Sequence, residues 1–123
     1  MAKKILFVED EHNLQKALGD VLKREGYDVI QALDGELGFE LAKAKQPNLI
    51  LLDLVLPKMN GFEVLKKLKT EEETKAIPVI ILTNLENAED VEKALRIGAT
   101  TYLVKMQYDV LELVKKVKGL IGK

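Results

Sequence analysis

Five short apolar runs, Ile5 to Val8, Val29 to Ala32, Leu49 to Leu52, Val79 to Leu82 and Thr101 to Val104, are each followed by a stretch of helical periodicity. Several of the runs are continuous rather than alternating, as parallel strands covered on both faces require. In the stretches between them, Leu14, Ala17, Leu18, Val21 and Leu22 recur at three- and four-residue steps before Gly26, a helix stop. Leu37, Leu41 and Ala44 make a weaker stripe, and Phe62, Leu65 and Leu68 a third. Ala88, Val91, Ala94 and Leu95 make a fourth, closed by Gly98. Val110, Leu113, Val114, Val117, Leu120 and Ile121 line the last helix, with Asp109 placed to cap it. Strand then helix, five times over, predicts an α/β fold: one parallel sheet with helices on both faces, joined by right-handed crossovers.

The 123 residues fit one domain, with no Ser- or Pro-rich linker to divide it. Nineteen Lys and Arg stand against twenty Asp and Glu, so no global field draws the chain to nucleic acid or anionic lipid. The absence of cysteine excludes a disulfide framework, a thiol nucleophile and any thiolate metal site. Glu9 and Asp10 cut short the only run that resembles an export signal, and no apolar stretch approaches the roughly 20 residues of a membrane helix. A cytoplasmic location is expected.

In open α/β sheets, ligands bind beyond the carboxyl ends of the strands. After the first run, where a nucleotide-binding protein places phosphate-cradling glycines, this chain has Glu9, Asp10 and Glu11. After the third comes Asp53. If strands one and three are neighbours, these carboxylates crowd together. Two unit charges about 4 Å apart repel by roughly 4 kcal/mol at an effective dielectric near 20, so the cluster needs raised pKa values or a cation. A hard divalent ion is the simpler answer. Mg²⁺ accepts one or two carboxylates and leaves room for phosphoryl oxygens, which points to a carboxylate that attacks phosphorus. Thr83 after the fourth run and Lys105 after the fifth supply a hydroxyl and an ammonium to the same edge, where they can donate to phosphoryl oxygens. Taken singly, each has a bland reading as an ordinary strand-end or solvated residue. Four strand ends of matching chemistry do not.

These residues resemble the receiver domain of two-component response regulators, the chemotaxis-regulator type of flavodoxin-like fold. The motifs that carry the resemblance are Ile5-Leu6-Phe7-Val8-Glu9-Asp10, the stretch from Leu51 through Asp53 and Pro57 to Gly61, Ile77-Pro78 through Thr83, and Gly98 through Lys105. Thr83 lies 30 residues beyond Asp53, and Lys105 52 beyond it, intervals that such domains use. The resemblance implies a five-stranded sheet in the order 2-1-3-4-5. It implies that Asp53 accepts a phosphoryl group from a sensor histidine kinase or phosphotransfer protein. Mg²⁺ would be held by Asp10, Asp53 and the backbone carbonyl of Val55, with Glu9 reaching it through water. Thr83 and Lys105 would engage the phosphoryl group. Tyr102 matches the aromatic switch position, so the face of helix four, strand five and helix five would change its affinity for a downstream protein. The expected unit is a single receiver domain over residues 1–123 with no output domain, acting by protein contact or relay rather than on nucleic acid, as a monomer or an activation-dependent dimer. It would promote its own phosphorylation and dephosphorylation without being a turnover enzyme.

Departures from the family pattern matter. Met106 follows Lys105 where proline is usual, so that peptide is expected to be trans; Asn84 follows Thr83 where a smaller residue is usual and could narrow access to Asp53. Val55 and Leu85 are apolar and cannot position an attacking water, so slow loss of the phosphoryl group is expected. His12, the only histidine, reads as a solvated helix residue. Two rivals stand beside this reading. One is a receiver-like interaction module that works without phosphate; the other is an aspartyl-phosphate phosphatase, which would need a second Asp where Val55 stands. The stripe Leu14, Ala17 and Val21 could offer a kinase-docking face on helix one, although a buried stripe is the expectation.

Overall fold

The computed structural model describes residues 2–122. Five strands, β1 (Lys4–Val8), β2 (Asp28–Ala32), β3 (Leu49–Leu52), β4 (Val79–Thr83) and β5 (Thr101–Val104), pair in parallel in the order β2-β1-β3-β4-β5. Five helices connect and complete them: α1 (His12–Arg24), α2 (Gly35–Lys45), α3 (Gly61–Thr70), α4 (Ala88–Ile97) and α5 (Val110–Ile121). Because β1 lies between β2 and β3, the strand order turns there. The register Val8 to Leu52, fixed by the hydrogen bond from the Asp53 amide to the Val8 carbonyl, sets Glu9 and Asp53 side by side at the carboxyl edge. This is the crevice where open α/β sheets bind ligands.

Alternate residues of each strand feed two separate cores. Ile5, Phe7, Leu49, Leu51, Ile80 and Leu82 pack against Leu18 and Leu22 of α1 and Leu113 and Val117 of α5. Leu6, Val8, Ile50, Leu52, Val79 and Ile81 pack against Ala42 of α2, Val64, Leu65 and Leu68 of α3, and Ala94 of α4. Burial on both faces accounts for the continuous apolar runs.

Three expected helix faces need correction. In α2 the buried residues are Gly35, Gly38 and Ala42, whereas Leu37 and Ala44 are exposed and Leu41 is half-buried. The reason is close approach: a Cβ on Gly38 would stand 2.8 Å from Cγ1 of Val8, so the inward face is built from residues too small to register as an apolar stripe. In α1, Leu18 and Leu22 face the core as expected, but Ala17 is exposed and Leu14 and Val21 are half-buried at its margin, and Gln15 and Gly19 take the other inward positions. In α4 only Ala94 is buried and Leu95 is largely exposed.

Helix entries are capped where the chain leaves the carboxyl edge. Asp34 accepts from the Leu37 amide, Asn60 from Glu63, Asn87 from Asp90 and Asp109 from Leu111. The Glu63 side chain returns a contact to Asn60, a reciprocal arrangement that anchors the loop after β3. Gly26 (φ 99°) and Gly98 (φ 135°) follow α1 and α4 in backbone conformations that favour glycine. The Lys105 to Met106 peptide is trans, as expected.

Candidate functional site

Glu9 and Asp10 leave β1, and Asp53 leaves β3. One carboxylate oxygen from each lies within 4.8 Å of the others. They border a cavity of about 250 Å³ at the carboxyl edge, together with Glu11, Val55, Asn84 and Lys105. Glu9 is fully buried and Asp53 nearly so, while Asp10 is exposed. An all-oxygen donor set of this kind suits a hard divalent cation.

Lys105, carried in by the end of β5, reaches both buried acids. Its Nζ donates to Oδ2 of Asp53 at 2.8 Å and lies 2.7 Å from Oε1 of Glu9, and Glu11 stands farther off at 3.9 Å. The contact with Glu9 is close in distance but lacks hydrogen-bond geometry, which leaves Oε1 a buried acceptor with no aligned donor among the described residues. The other oxygen of Glu9 accepts from the Glu11 amide at 3.0 Å.

Burial raises the Glu9 carboxyl above its ordinary pKa of 4.5, and the negative charge of Asp53 adds to that; Lys105 and the Glu11 amide oppose it without cancelling it. For Lys105, burial pulls the ammonium down, but its contacts with Asp53 and Glu9 together outweigh burial and leave its pKa above 10.5. Charge repulsion among the acids is thus relieved in two ways the sequence allows: one acid is pushed toward its neutral form, and one lysine is shared between two acids.

Thr83 ends β4 fully buried, and its Oγ1 has no hydrogen-bond partner among the described residues. Its main-chain carbonyl accepts from the Lys105 amide at 2.8 Å, so β4 carries the backbone that seats the lysine. Tyr102, half-buried on β5, points its hydroxyl to the Leu85 carbonyl at 2.7 Å rather than into the acidic cavity. Burial, reinforced by the charges of Asp90 and Asp53, pushes its phenol up to about 12. The Val55 amide donates to Oδ1 of Asp53 at 3.2 Å, and the Val55 side chain is 59% exposed at the mouth of the cavity. Asn84 is exposed and lines the same mouth. His12 opens α1 as an exposed residue.

The family model for the response regulator receiver domain matches residues 5–118. This chain belongs to that family. Among curated relatives, the receiver domain is 41% identical over 118 residues to the DNA-binding dual master transcriptional regulator RpaA of Synechocystis, covering 96% of this chain and 48% of RpaA. It therefore spans about half the length of that relative. Sporulation initiation phosphotransferase F of Bacillus subtilis is 34% identical over 118 residues, covering 96% of this chain and 93% of the relative. Among solved structures, the receiver domain of a Pseudomonas aeruginosa sensor histidine kinase superposes with a TM-score of 0.89 at 28% identity over the whole of both chains, and it carries a magnesium ion coordinated in the active site cleft. The fold is that of the flavodoxin-like CheY type, with the strand order expected from the resemblance.

Sequence reasoning assigned no role at the site to two residues that hold it together. Gln15 is buried beneath it, and its Nε2 lies 2.8 Å from the Phe7 carbonyl, 3.1 Å from that of Glu9 and 3.1 Å from that of Ala32. One amide thereby ties the ends of β1 and β2 under the Glu9 turn. Gly61, at the start of α3, donates its amide to the Leu54 carbonyl at 2.9 Å, and a Cβ there would stand 2.2 Å from the Asp53 carbonyl oxygen. Polarity in the middle of an apolar stripe was the available signal for Gln15.

Proposed function

We propose that Asp53 is the phosphoryl acceptor of a two-component phosphorelay, supplied by a phosphohistidine on a sensor histidine kinase or a phosphotransfer protein. The observation that carries this reading is the convergence of Asp53, Glu9, Asp10 and Lys105 on one cavity at the strand-order turn. In the step itself, Asp53 Oδ attacks phosphorus, the bond from phosphorus to the histidine nitrogen breaks, and the electron pair leaves with the imidazole. Glu9, Asp10, Asp53 and the Val55 backbone carbonyl would hold Mg²⁺, which when bound offsets the repulsion between an anionic nucleophile and an anionic donor.

Lys105 is in place to exchange its contact with Asp53 for one with a phosphoryl oxygen. The Thr83 hydroxyl, buried and without a partner among the described residues, is a donor for another. Drawing Thr83 inward opens space on the side of Tyr102, whose hydroxyl must release the Leu85 carbonyl to turn in. The face of α4, β5 and α5 then changes, and phosphorylation favours the altered conformer by its differential interaction with the two states. We take the output to be a downstream protein in the cytoplasm, engaged by a monomer or by a dimer formed on activation.

The test is transfer from an autophosphorylated histidine kinase. Label is expected to pass from kinase to receiver and then to persist for minutes or longer, because Val55 and Leu85 are apolar and position no water. Failure of every cognate kinase to transfer would contradict the acceptor role and favour a module that works without phosphate. A half-life of seconds would contradict only the slow loss.

A further inference from the structure

At the end of the sheet away from the acids, the C-terminal turns of α3 and α4 border a cavity of about 450 Å³. Its lining is Lys66, Lys69, Thr70, Lys93, Arg96 and Ile97: four cations and no acid. Basic residues in a last helical turn complement the helix dipole, which accounts for Lys69 and Arg96 but not for Lys66 and Lys93. The side chains of Lys66 and Arg96 make no ion pair or hydrogen bond among the described residues. Lys93 stands over the Phe62 ring, 4.3 Å from its centroid.

Lys69 gives the cleft a fixed cation. It is half-buried, and its Nζ donates to the carbonyls of Ile77 at 2.7 Å and Lys75 at 3.2 Å. Its stem lies against Gly98, where a Cβ would stand 3.0 Å from Cγ of Lys69. Burial lowers the Lys69 pKa, and no carboxylate offsets it.

We propose that this cleft binds a small molecule carrying two or more phosphoryl groups. Its volume falls within the range of small-molecule sites, roughly 300–1,000 Å³. The Arg96 guanidinium can take a phosphate in two-point fashion while the lysines act as point charges, and cations arriving from two helices exceed what one phosphate can engage. An extended polyanion such as nucleic acid is disfavoured, because Glu89, Asp90 and Glu92 line the adjoining groove on the far side of Lys93 and Arg96. A compact anion meets only the basic walls.

Titration of isotopically labelled protein with inorganic pyrophosphate, without divalent metal and at fixed ionic strength, tests the site by amide chemical shifts. Saturable shifts confined to residues 66–70 and 93–98 are expected. Affinity should fall at least about tenfold in Lys66→Gln/Arg96→Gln, a variant that breaks none of the contacts described above. Repeating the titration with tripolyphosphate and with ADP separates the two sources of the same chemistry. Tighter binding of ADP assigns a nucleotide, and equal binding assigns the phosphate chain alone. Shifts scattered over lysines elsewhere, no saturation, or an unchanged affinity in the variant would show an adventitious ion only and overturn the proposal.

Discussion

Asp53 Oδ2 accepts a 2.8 Å hydrogen bond from the Nζ of Lys105, a residue 52 positions further along the chain. The same ammonium touches Glu9, so a single cation is shared by a pair of buried acids at the ends of two strands. Removing it leaves both without a counter-charge.

Lys105→Met is therefore expected to destabilise the metal-free protein by about 3 kcal/mol, the order seen when one partner of a buried pair is deleted. Urea unfolding in the presence of a chelator measures this. Mg²⁺ should restore more stability to the variant than it adds to the parent, since the ion replaces the missing charge. Equal unfolding midpoints without metal would show that the pairing contributes nothing.

Alkaline pH gives a second readout. The fold holds the Tyr102 phenol neutral up to about 12, whereas in the unfolded chain it ionises near 10. Below 10 both states are protonated and the residue has no effect; between 10 and about 12 the unfolded state loses its proton first, so stability falls as pH rises. Lys105 acts in the same direction. Its contribution is complete below the unfolded value of 10.5 and is lost as pH rises through the higher folded value. In Tyr102→Phe the late component of the tyrosinate absorbance titration should vanish and the alkaline loss of stability should become shallower. A titration that keeps the late component assigns it to Tyr27 or Tyr108, whose phenols are also raised by burial.

Gln15 acts on the site through the backbone. Gln15→Leu strips its donor from the Phe7, Glu9 and Ala32 carbonyls, at a cost of about 1–3 kcal/mol. Because one of those carbonyls belongs to Glu9, the affinity for Mg²⁺ should weaken about tenfold, as for other outer-shell changes around a metal. Calorimetry under conditions where the variant is folded separates the two effects. Loss of stability with unchanged Mg²⁺ affinity would make Gln15 a structural residue only.

The strand-helix alternation and the placing of Glu9, Asp10, Asp53 and Lys105 at strand ends were legible in the sequence, because each rests on a strong local signal: a continuous apolar run, or a charged residue just after one. The strand order that brings those ends together came only from the family resemblance. What escaped depends on distance in space. Gly35 and Gly61 matter because backbone passes where a Cβ would sit, and Gly38 because the Val8 side chain does; a glycine letter does not say which neighbour approaches it. Gln15 occupies a helix position that pattern reading assigns to an apolar residue, and only the carbonyls beneath it explain the choice. Tyr102 read as a switch residue, but its bond to Leu85 requires the loop after β4 to be in place.

Gly61 carries a sharper expectation for that reason. A methyl at this position would overlap the Asp53 carbonyl oxygen at 2.2 Å and Cα of Leu54 at 2.4 Å. Gly61→Ala should cost about 1–3 kcal/mol through forced backbone movement and displace Asp53 itself. Phosphorylation by a small donor should slow in the folded variant, whereas Gly119→Ala, where a Cβ meets nothing within 4 Å, should leave it unchanged. Equal rates for the two variants would contradict the tight seating of Asp53 on α3.

The most direct test is to incubate the purified protein with a small acyl phosphate and Mg²⁺ and to measure its intact mass. A gain of one phosphoryl group is expected, absent when the metal is chelated and absent in Asp53→Asn. No gain in the parent with any donor, or a gain that survives in Asp53→Asn, would contradict the assignment of Asp53 as the acceptor.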